Sequence, residues 1–159
     1  MAERTPVHVS LPLAFNNCFG CGKDNRGGMH LKFRLGDDGK SFVANIRLSR
    51  RYEGPPGHAH GGVIATVLDE AMGKVTRLRA VLALTKDMQI DYLKPVPLGE
   101  PLIAEGRSVR VRGRVHFYKG EIRNRSGEVL ARSRGTYIAI DPKKSEVFAK
   151  HMRNNPGLA

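Results

Sequence analysis

Residues 57–73 read GHAHGGVIATVLDEAMG: two histidines and a glycine pair run directly into an apolar segment that carries two adjacent acids. From Val63 to about Arg79 the apolar residues recur with a helical period. At about 100° per residue, Val63, Ile64, Val67, Leu68, Ala71, Val75 and Leu78 form one stripe that must be buried against another element. That element is a sheet. Upstream, MHLKFRLG (29–36) alternates apolar and polar residues as a half-buried strand does, and the turn GDDG joins it to a second strand, KSFVANIRLS (40–49). Between this pair and the helix, RRYEGPPGHAHGG is a loop kept irregular by Pro55, Pro56 and its glycines. Downstream, residues 84–96, 101–113, 115–125 and 128–140 read as strands, with turns at Pro95–Gly99, Arg112–Arg114 and Ser126–Gly127. A polar surface helix is expected over 142–152. The sum is an α+β fold, a long helix against a curled antiparallel sheet, in a single domain over 1–159 with its core at about 15–140.

The bulk properties are those of a globular chain. With 159 residues, 40% hydrophobic and 26% charged, it has the size of one domain and enough apolar content for a real core. No apolar run approaches the roughly 20 residues that span a bilayer, and MAERTPVHVSLPLAF lacks the apolar core of a secretory signal. A cytoplasmic protein without membrane contact is expected. The net charge of +12 asks for an anionic partner. Nucleic acid fits poorly, because Arg107, Arg110, Arg112, Arg114, Arg123, Arg125, Arg132 and Arg134 are scattered singly and are not interleaved with base-stacking aromatics. A small polyanionic ligand, or a basic soluble surface, fits as well. Cys18 and Cys21 form a single C-x-x-C with no second pair to complete a tetrahedral metal set, so they read as small thiols of a tight turn, and no metal is expected.

Asp69 and Glu70 point about 100° apart on a helix. Glu70 shares its lane with Thr66, Lys74 and Arg77, which reads as a solvated face with an i,i+4 ion pair. Asp69 lies beside Ala65, Met72, Gly73 and Thr76, a lane of small residues where a ligand or a second subunit packs closely, and a carboxylate there needs a partner or a role. Gly61 and Gly62 stand at the helix N-terminus, whose first N–H groups lack internal partners and favour a developing oxyanion; they also read simply as a loop-to-helix turn. His60 either orients a substrate or ties the loop by a hydrogen bond, and His58 has the weaker claim.

The blocks CFGCGKDNRGGMHLKF, PGHAHGGVIATVLDEAMG, DMQIDYLKPVPLGEPL and GEVLARSRGTY resemble the hotdog-fold acyl-CoA thioesterases of the phenylacetate-pathway and 4-hydroxybenzoyl-CoA types. The resemblance runs over roughly residues 15–140. It implies a helix wrapped by an antiparallel sheet, assembly as a dimer or a dimer of dimers, and hydrolysis of an acyl-CoA without a further cofactor. On the matching positions it implies that Asp69 is the catalytic acid, that the Gly62 N–H polarises the thioester carbonyl, and that His60 begins the motif. Thr85 falls where a Ser or Thr helps to hold the attacking water. Gly61 lies beside the substrate, and Arg112 and Arg114 at a strand turn are the candidates for the phosphates of coenzyme A. Related enzymes carry a polar Asn or Gln six residues before the histidine; here that place is Gly54, beside Glu53. Two rivals remain: an acyl-CoA-binding hotdog protein that does not cleave, and a basic nucleic-acid-binding protein.

Overall fold

Along the last three strands the inward positions are filled by small residues alternating with a few large ones, and this sets how close the helix lies to the sheet. A computed structural model describes residues 16–141. Its strands are β1 (Arg34–Leu35), β2 (Ser41–Ile46), β3 (Ala83–Tyr92), β4 (Leu102–Arg112), β5 (Val115–Asn124) and β6 (Val129–Ala139), with helix α1 (Gly61–Lys74) between β2 and β3. They form one antiparallel sheet in the order β1-β2-β4-β5-β6-β3. The four later strands begin and end within one residue of expectation, except that β3 stops at Tyr92, four residues short. The β4–β5 connection is tight because Gly113 adopts a φ of 56°, which L side chains rarely take. The expected C-terminal helix lies outside the described residues.

Cross-strand partners share a face. Gly106 of β4 lies opposite Gly120 of β5, and Gly120 opposite Ser133 of β6; one step on, Tyr118 faces Gly135 and His116 faces Tyr137. Met72 of α1 fills the hollow so made: Cβ atoms built on Gly120 and Gly135 would lie 3.1 and 3.3 Å from its side chain. At Gly106 nothing separates helix from strand, because a Cβ there would lie 2.0 Å from the carbonyl oxygen of Ala71. The apolar side of α1 buries Ile64, Val67 and Leu68 against Leu102, Ala104, Ile122 and Ala131. A second cluster at the other end of the helix holds Met72, Val75, Tyr118 and Tyr137.

Three expectations are corrected. Of the strand expected over 29–36, only Arg34–Leu35 pairs with β2. The preceding backbone is drawn to the N-terminal loop instead, with the N–H groups of Met29 and Leu31 donating to Phe19 and Gly20, and His30 sits at a φ of 53° that no strand accommodates. Leu78 leaves the buried stripe and is 39% exposed, because the chain tightens to a 3₁₀ helix over Val75–Arg79 and the shorter period turns Thr76 inward in its place. The small-residue lane is split for a related reason: Met72 and Thr76 are core residues, while Ala65 and Gly73 stay half-buried and a Cβ on Gly73 would touch nothing.

Because the obstacle at Gly106 is helix backbone and cannot rotate away, Gly106→Ala is expected to lower the free energy of unfolding by about 2 kcal/mol or more. Urea titration checks this, and an unchanged midpoint contradicts the direct packing of helix on strand.

Candidate active site

The helical register puts Asp69 on the side of α1 that looks towards β6 and the edge strand β3. Thr85 and Tyr137 are direct cross-strand partners on those strands, so both hydroxyls rise from the same face of the sheet. They converge on a single atom. Thr85 Oγ1 and Tyr137 Oη each donate to Asp69 Oδ1 at 2.8 Å. No donor among the described residues reaches Oδ2 of this half-buried side chain. Tyr137 is 1% exposed, and burial followed by the Asp69 charge pushes its phenol far above the ordinary range, so it stays protonated and donates at any physiological pH. The arrangement holds a carboxylate with one oxygen saturated and the other open. Asp69, singled out by its helical lane, and Thr85, named from the resemblance, are brought together here, with Thr85 meeting the carboxylate directly where the resemblance gave it only a water. Tyr137 was missed. Its one signal is a polar-tipped residue on the inward period of β6, and its partner lies 68 positions away.

The other end of α1 carries the second half of the motif. His60 caps the helix: its Nδ1 accepts the Gly62 N–H at 2.9 Å, while its carbonyl accepts from Val63 and Ile64. The Gly62 N–H, expected to polarise a carbonyl, is therefore engaged by His60 in this structure. The Gly61 N–H has no acceptor among the described residues, and the Gly61 carbonyl accepts from Tyr92 Oη of β3 at 3.1 Å. His58 binds within its own loop through Pro56. The absence of a side chain at Gly54 has a steric cause, since a Cβ there would lie 2.7 Å from His60 Cα. Arg112 and Arg114 flank the β4–β5 turn just beyond the level of Tyr137. Both are exposed; Arg114 Nε donates to the Ala139 carbonyl.

Glu70 is not on a solvated face. Loop residues 16–24 fold over it, leaving the Glu70 and Lys74 side chains 17% and 12% exposed at a separation of 3.1 Å. Cys18 Sγ donates to Glu70 Oε1 at 3.3 Å, and Lys74 Nζ donates to Cys21 Sγ at 2.8 Å. Burial pushes the Cys21 thiol up to about 11, so it is protonated near neutrality. The donor atoms of Cys18, Cys21 and Glu70 lie within 4.8 Å of one another, close enough for a metal ion, and the cation that stands beside them is the Lys74 ammonium. Burial raises the Glu70 carboxyl, but the Lys74 charge and hydrogen bonds from Cys21, Lys74 and Cys18 outweigh it and leave the group below its usual range.

Residues 56–131 match the family model of the thioesterase superfamily. Acyl-coenzyme A thioesterase THEM4 of Xenopus laevis is 35% identical over 78 residues, which are 49% of this chain and 35% of that protein. Among solved structures, a thioesterase superfamily protein is 32% identical with a TM-score of 0.69, over 74% of this chain and 60% of that one. A Bacillus halodurans protein solved with CoA is 26% identical with a TM-score of 0.62, over 69% and 74% of the two chains. The fold is the hotdog fold, and over residues 56–131 the chain is similar to the thioesterase superfamily. It spans about a third of the length of the curated frog relative. Among the described residues no helix is long and apolar enough to cross a membrane.

Glu70→Gln leaves a half-buried ammonium without its charge partner, so unfolding free energy near neutral pH is expected to fall by about 1–3 kcal/mol. The folded-state carboxyl is depressed, so its contribution is fully present above the unfolded value of about 4.3 and is lost as pH falls through the lower folded value. Denaturant titrations of both proteins over a pH series check this: the gap between them should close on acidification, and a gap independent of pH contradicts the pairing.

Proposed function

We propose that the protein hydrolyses an acyl-CoA thioester to the free acid and coenzyme A, as a homodimer or dimer of dimers, with its own residues and water and no further cofactor. The observation that carries this reading is the Asp69 carboxylate, saturated at Oδ1 by Thr85 and Tyr137 and open at Oδ2. A thioester carbonyl needs an oxygen nucleophile aimed at its carbon and donors for the oxygen that becomes negative. Oδ2 serves the first need, either by taking a proton from water or by attacking directly to give a mixed anhydride that water then opens. Single-turnover hydrolysis in ¹⁸O-water that leaves label in Asp69 establishes the anhydride route, with water opening the anhydride at the Asp69 carboxyl carbon. The N-terminus of α1 serves the second need through its glycine N–H groups, by way of the Gly61 N–H or of the Gly62 N–H after His60 turns aside.

These two parts stand eight residues apart on one helix, about 12 Å along its axis at about 1.5 Å per residue. A single carbonyl group cannot touch both. The acid of one subunit facing the glycine end of its partner's helix resolves the distance, which supports a site shared across a dimer. The unpaired outer edge of β3 is the surface suited to that assembly, with Leu84, Tyr92 and Leu93 about half exposed. The CoA found with the Bacillus halodurans relative supports CoA as the ligand class, and Arg112, exposed at the end of the sheet beyond Tyr137, is the candidate for its phosphates. Several outward arginines are already paired with acids, Arg107 with Asp38 and Glu105 and Arg132 with Asp91, which weighs against a nucleic-acid footprint.

The engagement of the Gly62 N–H by His60 favours a second reading, a hotdog protein that binds acyl-CoA without cleaving it. Turnover decides between them. Hydrolysis of a panel of acyl-CoA thioesters, followed by a thiol reagent, is expected to show activity that Asp69→Asn lowers by at least about 100-fold while acyl-CoA binding survives. Glu70→Gln, assayed where it is folded, should keep a rate near wild type. Binding without turnover by the wild-type protein supports the second reading. Light scattering is expected to give a dimer or tetramer, and an active monomer contradicts the shared site.

A further inference from the structure

We infer that Tyr137 is a positioning residue, which together with Thr85 selects Oδ2 as the reacting oxygen of Asp69; the inference rests on the hydrolytic reading above. A carboxylate oxygen has two lone-pair directions for hydrogen bonds. Both at Oδ1 are taken, by Tyr137 Oη and Thr85 Oγ1, each at 2.8 Å. The single phenolic proton has a choice of acceptors, and the Asp69 main-chain carbonyl, at 3.3 Å, is the poorer one. Oδ1 is thereby fixed as the oxygen that faces the sheet, and Oδ2 is the oxygen left to meet water or a carbonyl carbon.

The two donors are unequal. Thr85 lies exposed on an edge strand, next to the irregularity between Thr85 and Asp87 in the β3–β6 pairing. Tyr137 is 1% exposed and wedged in the core, its ring centroid 5.1 Å from that of Tyr118, and Met72 and Val75 complete the cluster. The buried phenol cannot follow the carboxylate if it turns. Turning the Asp69 carboxylate about its Cβ–Cγ bond breaks that hydrogen bond inside the core, and a half-turn only restores the same arrangement with the two equivalent oxygens exchanged, so Tyr137 locks the plane of the carboxylate and one oxygen always stands at the open place. The same geometry makes Asp69→Asn a clean probe: two donors demand an acceptor at the Oδ1 place, so the amide oxygen takes it and the amide nitrogen stands where Oδ2 was. The substitution replaces the open oxygen by an amide nitrogen and removes the charge, while the acceptor at the Oδ1 place is kept.

The test compares kcat and KM of wild type, Tyr137→Phe, Thr85→Val and Asp69→Asn on one acyl-CoA, with melting temperature and dimer content measured on each. Tyr118→Phe is the control, because it removes a buried hydroxyl from the same cluster, one that meets His116 Nδ1 at 2.6 Å and does not touch Asp69. Tyr137→Phe is expected to lose about 10- to 100-fold in kcat with KM within about twofold, as misplacement of a reacting group does. Thr85→Val should lose kcat in the same sense, and Tyr118→Phe should lower the melting temperature and leave kcat alone. Wild-type kcat in a folded, dimeric Tyr137→Phe, beside an inactive Asp69→Asn, overturns the inference and leaves the hydrolytic reading standing. An active Asp69→Asn defeats both. If Tyr137→Phe fails to fold, Thr85→Val decides: a loss in kcat at constant KM supports the two-donor clamp, and an unchanged kcat overturns it.

Discussion

Helix α1 lies against β4 with no side chain between them at Gly106, where the Ala71 carbonyl occupies the place of a β-carbon. This contact sets the depth and the rotation of the helix, and most of the molecule follows from it. With the helix that close, Met72 must enter the sheet, and the glycines and serine of β5 and β6 provide its hollow. With Met72 inward, Asp69 one turn earlier is carried to the border of the helix and the open side of the sheet, at a height where a threonine and a tyrosine reach one of its oxygens. The aspartate is thus positioned by packing between backbones, which is stiffer than any surface hydrogen bond.

The neighbouring acids show how one helical step separates two roles. Glu70 is enclosed by an ammonium and two thiols, and its charge is spent in holding the N-terminal loop on the helix. Asp69 receives neutral hydroxyls at one oxygen only. A carboxylate paired with a lysine has its oxygens engaged; one met by hydroxyls at a single oxygen has the other to spare. The difference lies in the partners, and those come from segments far away in the chain.

That distance also explains what the sequence could and could not disclose. The stripe from Val63 to Val75 and the alternation along β4 to β6 are local consequences of period, and they gave the helix, the antiparallel strands and their turns. The different surroundings of Asp69 and Glu70 were foreshadowed because the register of one helix separates their lanes. Glu70 was misread as solvated because the loop that buries it lies about 50 residues upstream, with Cys18 52 positions away. The segment before Arg34 looked like a strand because its alternation is real, but its hydrogen bonds go to another loop. Tyr137 was invisible as a site residue: inward tyrosines on strands are ordinary core, and only the register between β3 and β6 shows that this one meets an acid. The His60 cap on Gly62 was equally hidden, because a histidine before a glycine pair reads as substrate contact or as cap until the ring is placed.

The central claim is that the open oxygen of Asp69 and the glycine end of a second α1 act on one thioester carbonyl. The most direct measurement is a crystal structure of the protein with an acyl-CoA analogue in which a methylene replaces the thioester sulfur. The account predicts the ketone carbon within about 3.5 Å of Asp69 Oδ2, or one water away from it. It also predicts that the ketone oxygen accepts a backbone N–H from the helix N-terminus of the other subunit. A ketone lodged beside Glu70 or Cys21, or touching Oδ1 with Tyr137 displaced, would contradict it.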